Sequence, residues 1–239
     1  MFALRRLALI AGAFVSGSVF ASASALAAPP VYNWTGFYIG ANAGMSAANV
    51  TATWSDANGV YSVDHGHGAG FSGGGQAGFN FQMPTSNFVG GVEADFQGST
   101  LDAVYADYGP DLNFGTRINW WGTVRGRLGI AIANFLPFVT GGVAYGSLTN
   151  HYYDPVTYYP PTVINANWST TRVGWTVGGG VEAALAPNVA LNVEYLYTDL
   201  GSWASGNAQL DAVSGSPPIV ATVLAKFSTF RVGIDWKLN

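Results

Sequence analysis

Glu93 and Asp95 stand two positions apart and are the closest approach in this sequence to a paired acid and base. Residues i and i+2 of an extended strand share a face, so both carboxylates point the same way and could trade a proton. Arg125 and Arg127 repeat that spacing with the opposite charge. Mutual neutralisation is therefore the expected role of these four side chains, ahead of catalysis. A second cluster, Asp64-His65-Gly66-His67, has ligand-like spacing; His151 follows with Tyr152, Tyr153, Tyr158 and Tyr159. His and Tyr are residue types that ligate haem iron, and polar connections also carry them with no ligand. His65, His67 and His151 are kept as a possible ligand site on outer loops. No Ser-His-Asp constellation or phosphate loop is evident, because the Gly runs lie within strand-like segments. Zero Cys excludes a disulfide scaffold, a thiol nucleophile and Cys-ligated zinc. The expectation is a non-enzyme without cofactor or metal.

Composition says what must position these groups. Only 9 % of the 239 residues are charged and mean hydropathy is +0.23, whereas soluble domains carry roughly 25 % charged residues. Apart from the N-terminus, no run of ~20 apolar residues could form a membrane helix. High apolar and aromatic content with 32 Gly points instead to strands in lipid. A net charge of −4 without a basic stripe argues against nucleic acid as a partner.

Residues 1–27 read as a cleaved signal peptide. Arg5-Arg6 precede the apolar stretch Leu7–Val15, and Ala25-Leu26-Ala27 supplies a small-x-small cleavage site. Residues 28–239 form one domain. Strand-like runs are expected at Gly36–Ala48, Phe71–Met83, Phe88–Thr100, Phe114–Ala131, Phe138–Thr149, Thr170–Leu185, Val189–Tyr197 and Val223–Leu238. Most reach the ~9–11 residues that cross a bilayer at a tilt. Short Pro/Asn turns (84–87, 134–137, 186–188) alternate with long polar connections (49–70, 101–113, 150–169, 198–222). That regularity predicts an all-β, eight-stranded antiparallel up-and-down transmembrane barrel with four long outer loops and three short periplasmic turns.

Sorting the faces places the chemistry. In the last run Phe230, Val232, Ile234, Trp236 and Leu238 oppose Arg231, Gly233, Asp235 and Lys237. In the fourth, Ile118, Trp120, Val124, Leu128 and Ile130 oppose Arg117, Asn119, Thr123, Arg125 and Arg127. A charge at mid-depth on the lipid face costs roughly 2–4 kcal/mol, so the charged face must look inward. The expected lumen network is Glu93, Asp95, Arg117, Arg125, Arg127, Arg172, Glu182, Glu194, Arg231, Asp235 and Lys237. The lumen of eight strands is just filled by side chains, and the Gly runs (73–75, 90–91, 141–142, 178–180) would leave room for them. Trp34, Phe37, Phe88, Trp120, Tyr145, Trp175, Tyr195, Tyr197 and Trp236 fall at strand ends, as interfacial girdles require.

The segment Trp34-Thr35-Gly36-Phe37-Tyr38-Ile39-Gly40-Ala41-Asn42-Ala43-Gly44 closely resembles the opening strand of small alphaproteobacterial outer-membrane proteins. These are the porin-family, OmpA-like barrels that include major surface antigens of Brucella and its rhizobial relatives. Val89–Phe96, Trp121–Gly129 and Val193–Gly201 resemble the same family. The resemblance implies an outer-membrane location, with the bilayer, lipopolysaccharide and the assembly machinery as partners. Family members usually end on an aromatic residue; here Leu238-Asn239 stands in its place.

The function expected is structural: envelope integrity and surface presentation, with a lumen plugged by paired charges. The alternatives are a small-solute or ion porin, which the family name suggests, and loop-mediated binding of haem or a host surface, since some relatives are described as haem-binding.

Overall fold

A computed structural model describes residues 32–56, 58–107, 113–154, 164–205 and 220–238. The expected signal peptide lies outside them. Eight antiparallel strands form a closed barrel in sequence order: β1 (Gly36–Asp56), β2 (Gly59–Gln82), β3 (Phe88–Asp107), β4 (Asn113–Ile130), β5 (Phe135–Asp154), β6 (Ile164–Ala186), β7 (Val189–Ser205) and β8 (Val220–Leu238). Pairing of β1 with β8 runs from Phe37↔Leu238 to Ser55↔Val220 and closes the ring. Closure pairs every strand on both sides through the turn-side half, which is what lipid demands of a spanning sheet; among the described residues the outer ends of β2 (59–66) and β6 (164–174) are paired on one side only.

The strands are 17 to 24 residues long, well beyond the expected runs. At ~3.3 Å per residue and a tilt of ~40°, 20 residues rise roughly 50 Å, about twice the apolar band of such barrels. The extra length lies at the end away from the tight turns. Residues 49–70, expected as a loop, continue β1 and β2 as a hairpin paired from Asn49↔His67 to Asp56↔Gly59. His65 and His67 therefore sit on β2 and His151 on β5, not on loops.

Side-chain polarity changes phase along the strands. On β1, Ala41, Ala43, Met45 and Ala47 face out while Asn42 and Ser46 are buried; farther along, Asn49 faces out while Ala48, Val50 and Ala52 are buried. On β8, Phe230, Val232, Ile234 and Trp236 face out over buried Thr229, Arg231 and Asp235, whereas Val223, Ala225 and Phe227 are buried at its other end. Within the apolar band the barrel is inside-out; beyond it, water surrounds the wall and the interior becomes oily. The expectation of a charged lumen throughout thus holds only for the half nearer the turns.

Bulges adjust the faces. Between Ile118 and Trp120 the ladder with β5 shifts register, and one extra residue exchanges inside and outside. Thr123, Arg125 and Arg127 are buried on one side of it; Phe114, Thr116 and Ile118 are buried on the other. Ile118, expected to face lipid, is 1 % exposed. A second shift lies between Asp199 and Ser202 in the β7–β8 ladder. There Gly201 adopts φ +73° and donates its N–H to Asp199 Oδ1 at 2.8 Å. An L-residue takes that backbone only with strain.

Glycines divide by face. A Cβ on inward Gly40 would fall 2.1 Å from Asp235 Oδ1 and one on Gly142 2.1 Å from the Val124 carbonyl. Outward Gly73, Gly75, Gly90 and Gly126 meet nothing closer than 3.5 Å. Lumen crowding accounts for the inward glycines only.

Candidate functional site: the filled lumen

Three layers occupy the interior. The middle one carries the charges, and it is built around two arginines. Arg125, its side chain fully buried, donates Nη2 to Glu93 and, at 3.1 Å, to Asp95; Nη1 reaches Glu194 at 2.5 Å and Nε reaches Thr123 Oγ1 at 2.8 Å. Arg231 donates Nε to Glu194 Oε2 at 2.7 Å and Nη2 to Asp95 Oδ2 at 3.0 Å. Thr123 donates to Asp95 at 2.8 Å. Charge-assisted bonds of this kind are about twice as strong as neutral ones, and here several meet on each group.

Arg127 works nearer the turn side. It donates Nη1 to Glu182 Oε1 and to the Tyr38 hydroxyl oxygen, both at 2.9 Å. Its guanidinium carbon sits 4.0 Å from the Phe138 ring centroid. Tyr38 in turn donates to Glu93 Oε2 at 2.7 Å. Asp235 is buried but touches no arginine: it accepts from Gln76 Nε2 at 2.6 Å and Asn192 Nδ2 at 2.5 Å. Gln76 accepts from Asn42 Nδ2 at 2.7 Å.

Three expected members lie elsewhere. Arg117 is on the outer surface because the bulge reverses its face; it pairs with Asp102 at 2.8 Å, its side chain 57 % exposed. Arg172 donates to the Ser202 carbonyl at 2.9 Å and lies over Trp203. Lys237 sits at the turn-side mouth and donates to the Asn33 carbonyl at 2.6 Å. Tyr38 and Asn42 of this layer are not among the expected members, whereas Gln76 and Asn192 fall on the polar faces that alternation assigns to their strands. Alternation held the signal for the first two, since Tyr38, Gly40, Asn42 and Gly44 share one face.

An apolar plug fills the outer end. Val50, Leu101, Phe114, Ile118, Trp121, Leu148, Leu200, Trp203, Val223 and Phe227 pack across the interior from six strands. Trp121 meets Phe227 with ring centroids 5.3 Å apart. A smaller apolar cluster lies at the turn end. The segment before β1 folds into the mouth, where Trp34 packs with Val89, Ala131, Leu136 and Ala190. Trp34 is 3 % exposed, so it is a cork and not an interfacial anchor as expected. Phe37, Phe88, Trp175, Tyr195 and Trp236 are exposed on the outer wall, and Trp120, Tyr145 and Tyr197 half-exposed.

The histidines do not assemble. β2 and β5 are not neighbours in the barrel, and among the described residues no three His, Cys, Asp or Glu side chains form a metal-holding group. Tyr158 and Tyr159 lie outside those residues. His65 and His67 face outward together.

A family model, the outer membrane protein β-barrel domain, matches residues 13–237. The chain belongs to that family. The 31 kDa outer-membrane immunogenic protein of Brucella melitensis is 35 % identical over 97 % of this chain and 98 % of its own length. The 22 kDa outer membrane protein of Rhizobium leguminosarum is 32 % identical over 72 % of this chain and 67 % of its own. Among solved structures, the outer membrane protein OprG of Pseudomonas aeruginosa superposes with a TM-score of 0.51 at 11 % identity, covering 87 % of this chain and 99 % of that one. It shares the fold. This family member is thus an outer-membrane β-barrel, of the kind that includes the Brucella immunogenic protein and the Rhizobium outer membrane protein.

Proposed function

We propose that this outer-membrane barrel is a non-conducting, non-enzymatic structural element of the envelope, which holds the bilayer and presents a rigid surface outside it. The observation that supports the reading is the packing of the lumen: among the described residues a mouth cluster, a charged layer and an outer apolar cluster follow one another along the interior. A lumen so narrow, occupied by paired charges, offers no path for a hydrated solute. Glu93 and Asp95 are engaged by Arg125 and Arg231, which also speaks against acid–base catalysis by the two.

Surface presentation rests on the strand extensions, which would carry a stiff wall into the lipopolysaccharide layer. The word "immunogenic" in the Brucella relative's name is consistent with such a surface. Assembly would depend on the outer-membrane insertion machinery reading the closing strand β8. The porin alternative requires a continuous water path, against which the plugs stand. The alternative of haem or host-surface binding requires a site on outer loops; His65 and His67 instead share the outward face of β2, and His151 lies on β5.

Liposome swelling tests the reading. Proteoliposomes placed in an isotonic small sugar should swell no faster than protein-free vesicles; swelling at the rate of a general porin would overturn it.

A further inference from the structure

His65 and His67 leave the charged lumen and the plugs unused. They stand on the outward face of β2, beyond the lipid-facing Phe71, with the inward Gly66 between them. Across the β1–β2 ladder His65 faces Thr51 and His67 faces Asn49; on the other side His67 faces Val104. None of these facing residues bears a charge that would repel a cation.

Hydrogen bonding sets both rings. His67 Nδ1 lies 2.7 Å from Asn49 Oδ1. A carboxamide oxygen only accepts, so Nδ1 carries the proton and the neutral ring keeps its lone pair on Nε2. His65 Nδ1 lies 3.2 Å from Thr51 Oγ1, a hydroxyl oxygen able to accept from a ring protonated there. Metal-ligating histidines are held in this way: one ring nitrogen donates to a fixed oxygen, and the other is left aimed and basic. Side chains two apart on a strand rise about 6.6 Å from each other, a span that two imidazoles can close onto one ion.

We propose that His65 and His67 form an outward-facing site for one divalent transition-metal ion of the zinc and nickel class, with Asn49 and Thr51 as positioning residues. Imidazole nitrogen suits such ions and does not suit calcium or magnesium, which want oxygen. Two protein ligands leave further coordination positions open toward the surroundings of the barrel wall.

The test uses the full processed chain without a polyhistidine tag, refolded in detergent and titrated with Ni²⁺ and, separately, Zn²⁺. One ion should bind per chain. His65→Ala and His67→Ala should each weaken binding about tenfold or more, and His151→Ala should leave it unchanged. Asn49→Ala keeps both ligands and should weaken binding about tenfold through loss of ring orientation. Unaltered heat-modifiable migration of each variant establishes that the barrel is intact. Wild type binding no more tightly than the His65→Ala/His67→Ala double variant overturns the site; Asn49→Ala binding like wild type overturns the positioning role.

Discussion

Glu194 and Arg231 stand directly opposite each other in the β7–β8 ladder, and Arg231 Nε donates to Glu194 Oε2 at 2.7 Å. The same carboxylate accepts from Arg125 of β4 through its other oxygen. One acid therefore ties the strand next to the closing seam to the far wall of the barrel.

Removing the hub should be severe. Arg125→Ala leaves three buried carboxylates, Glu93, Asp95 and Glu194, to share Arg231 and a distant Arg127, and breaking a buried pair in this way costs about 3–5 kcal/mol. The expected result is a large fall in the urea midpoint of the detergent-folded barrel. A loss below about 1 kcal/mol, the value of an exposed pair, would mean that water reaches the network.

Arg117→Ala is the matched control. Its pair with Asp102 is exposed, so the loss should stay within about 1 kcal/mol. An effect equal to that of Arg125→Ala would place Arg117 inside after all.

The outer plug should contribute like a soluble core. Trp121→Ala empties a large site between strands, and truncating a buried Trp costs about 3–5 kcal/mol. Trp236→Ala, on the lipid-facing wall, leaves no interior cavity and should cost less. Urea titration ranks the two variants; the reverse order would contradict the phase change in polarity.

Deleting Asn119 tests the bulge. Strict alternation would then force either Phe114, Thr116 and Ile118 outward or Arg125 and Arg127 toward lipid. Each apolar side chain so displaced forfeits about 1.5–3 kcal/mol. Heat-modifiable migration should be lost or markedly reduced. A variant as stable as wild type would show that the strand slips without penalty.

Barrel topology was legible because lipid permits only apolar side chains on one face, and because turns and long connections alternate. The charged layer was legible at Glu93, Asp95, Arg125, Arg127, Glu182, Glu194, Arg231 and Asp235 for the same reason. Arg117 and Ile118 were misplaced because a bulge leaves no mark in the residue types around Asn119. The hairpin over residues 49–70 looked like a loop because polarity reverses there: Thr51, His65 and His67 face water while Val50 and Ala52 turn inward. Read with a single inside-out rule, that segment has no face at all. Trp34 precedes the first strand, and only the folded mouth reveals that it turns back into the lumen.

Single-channel recording in a planar bilayer bears most directly on the corked lumen. Refolded wild-type protein, shown to have inserted by its heat-modifiable migration, should give a flat baseline, with no stable conductance steps at either polarity. Reproducible steps of fixed size, retained after further purification, would mean that ions pass the Arg125–Glu194 layer and both plugs.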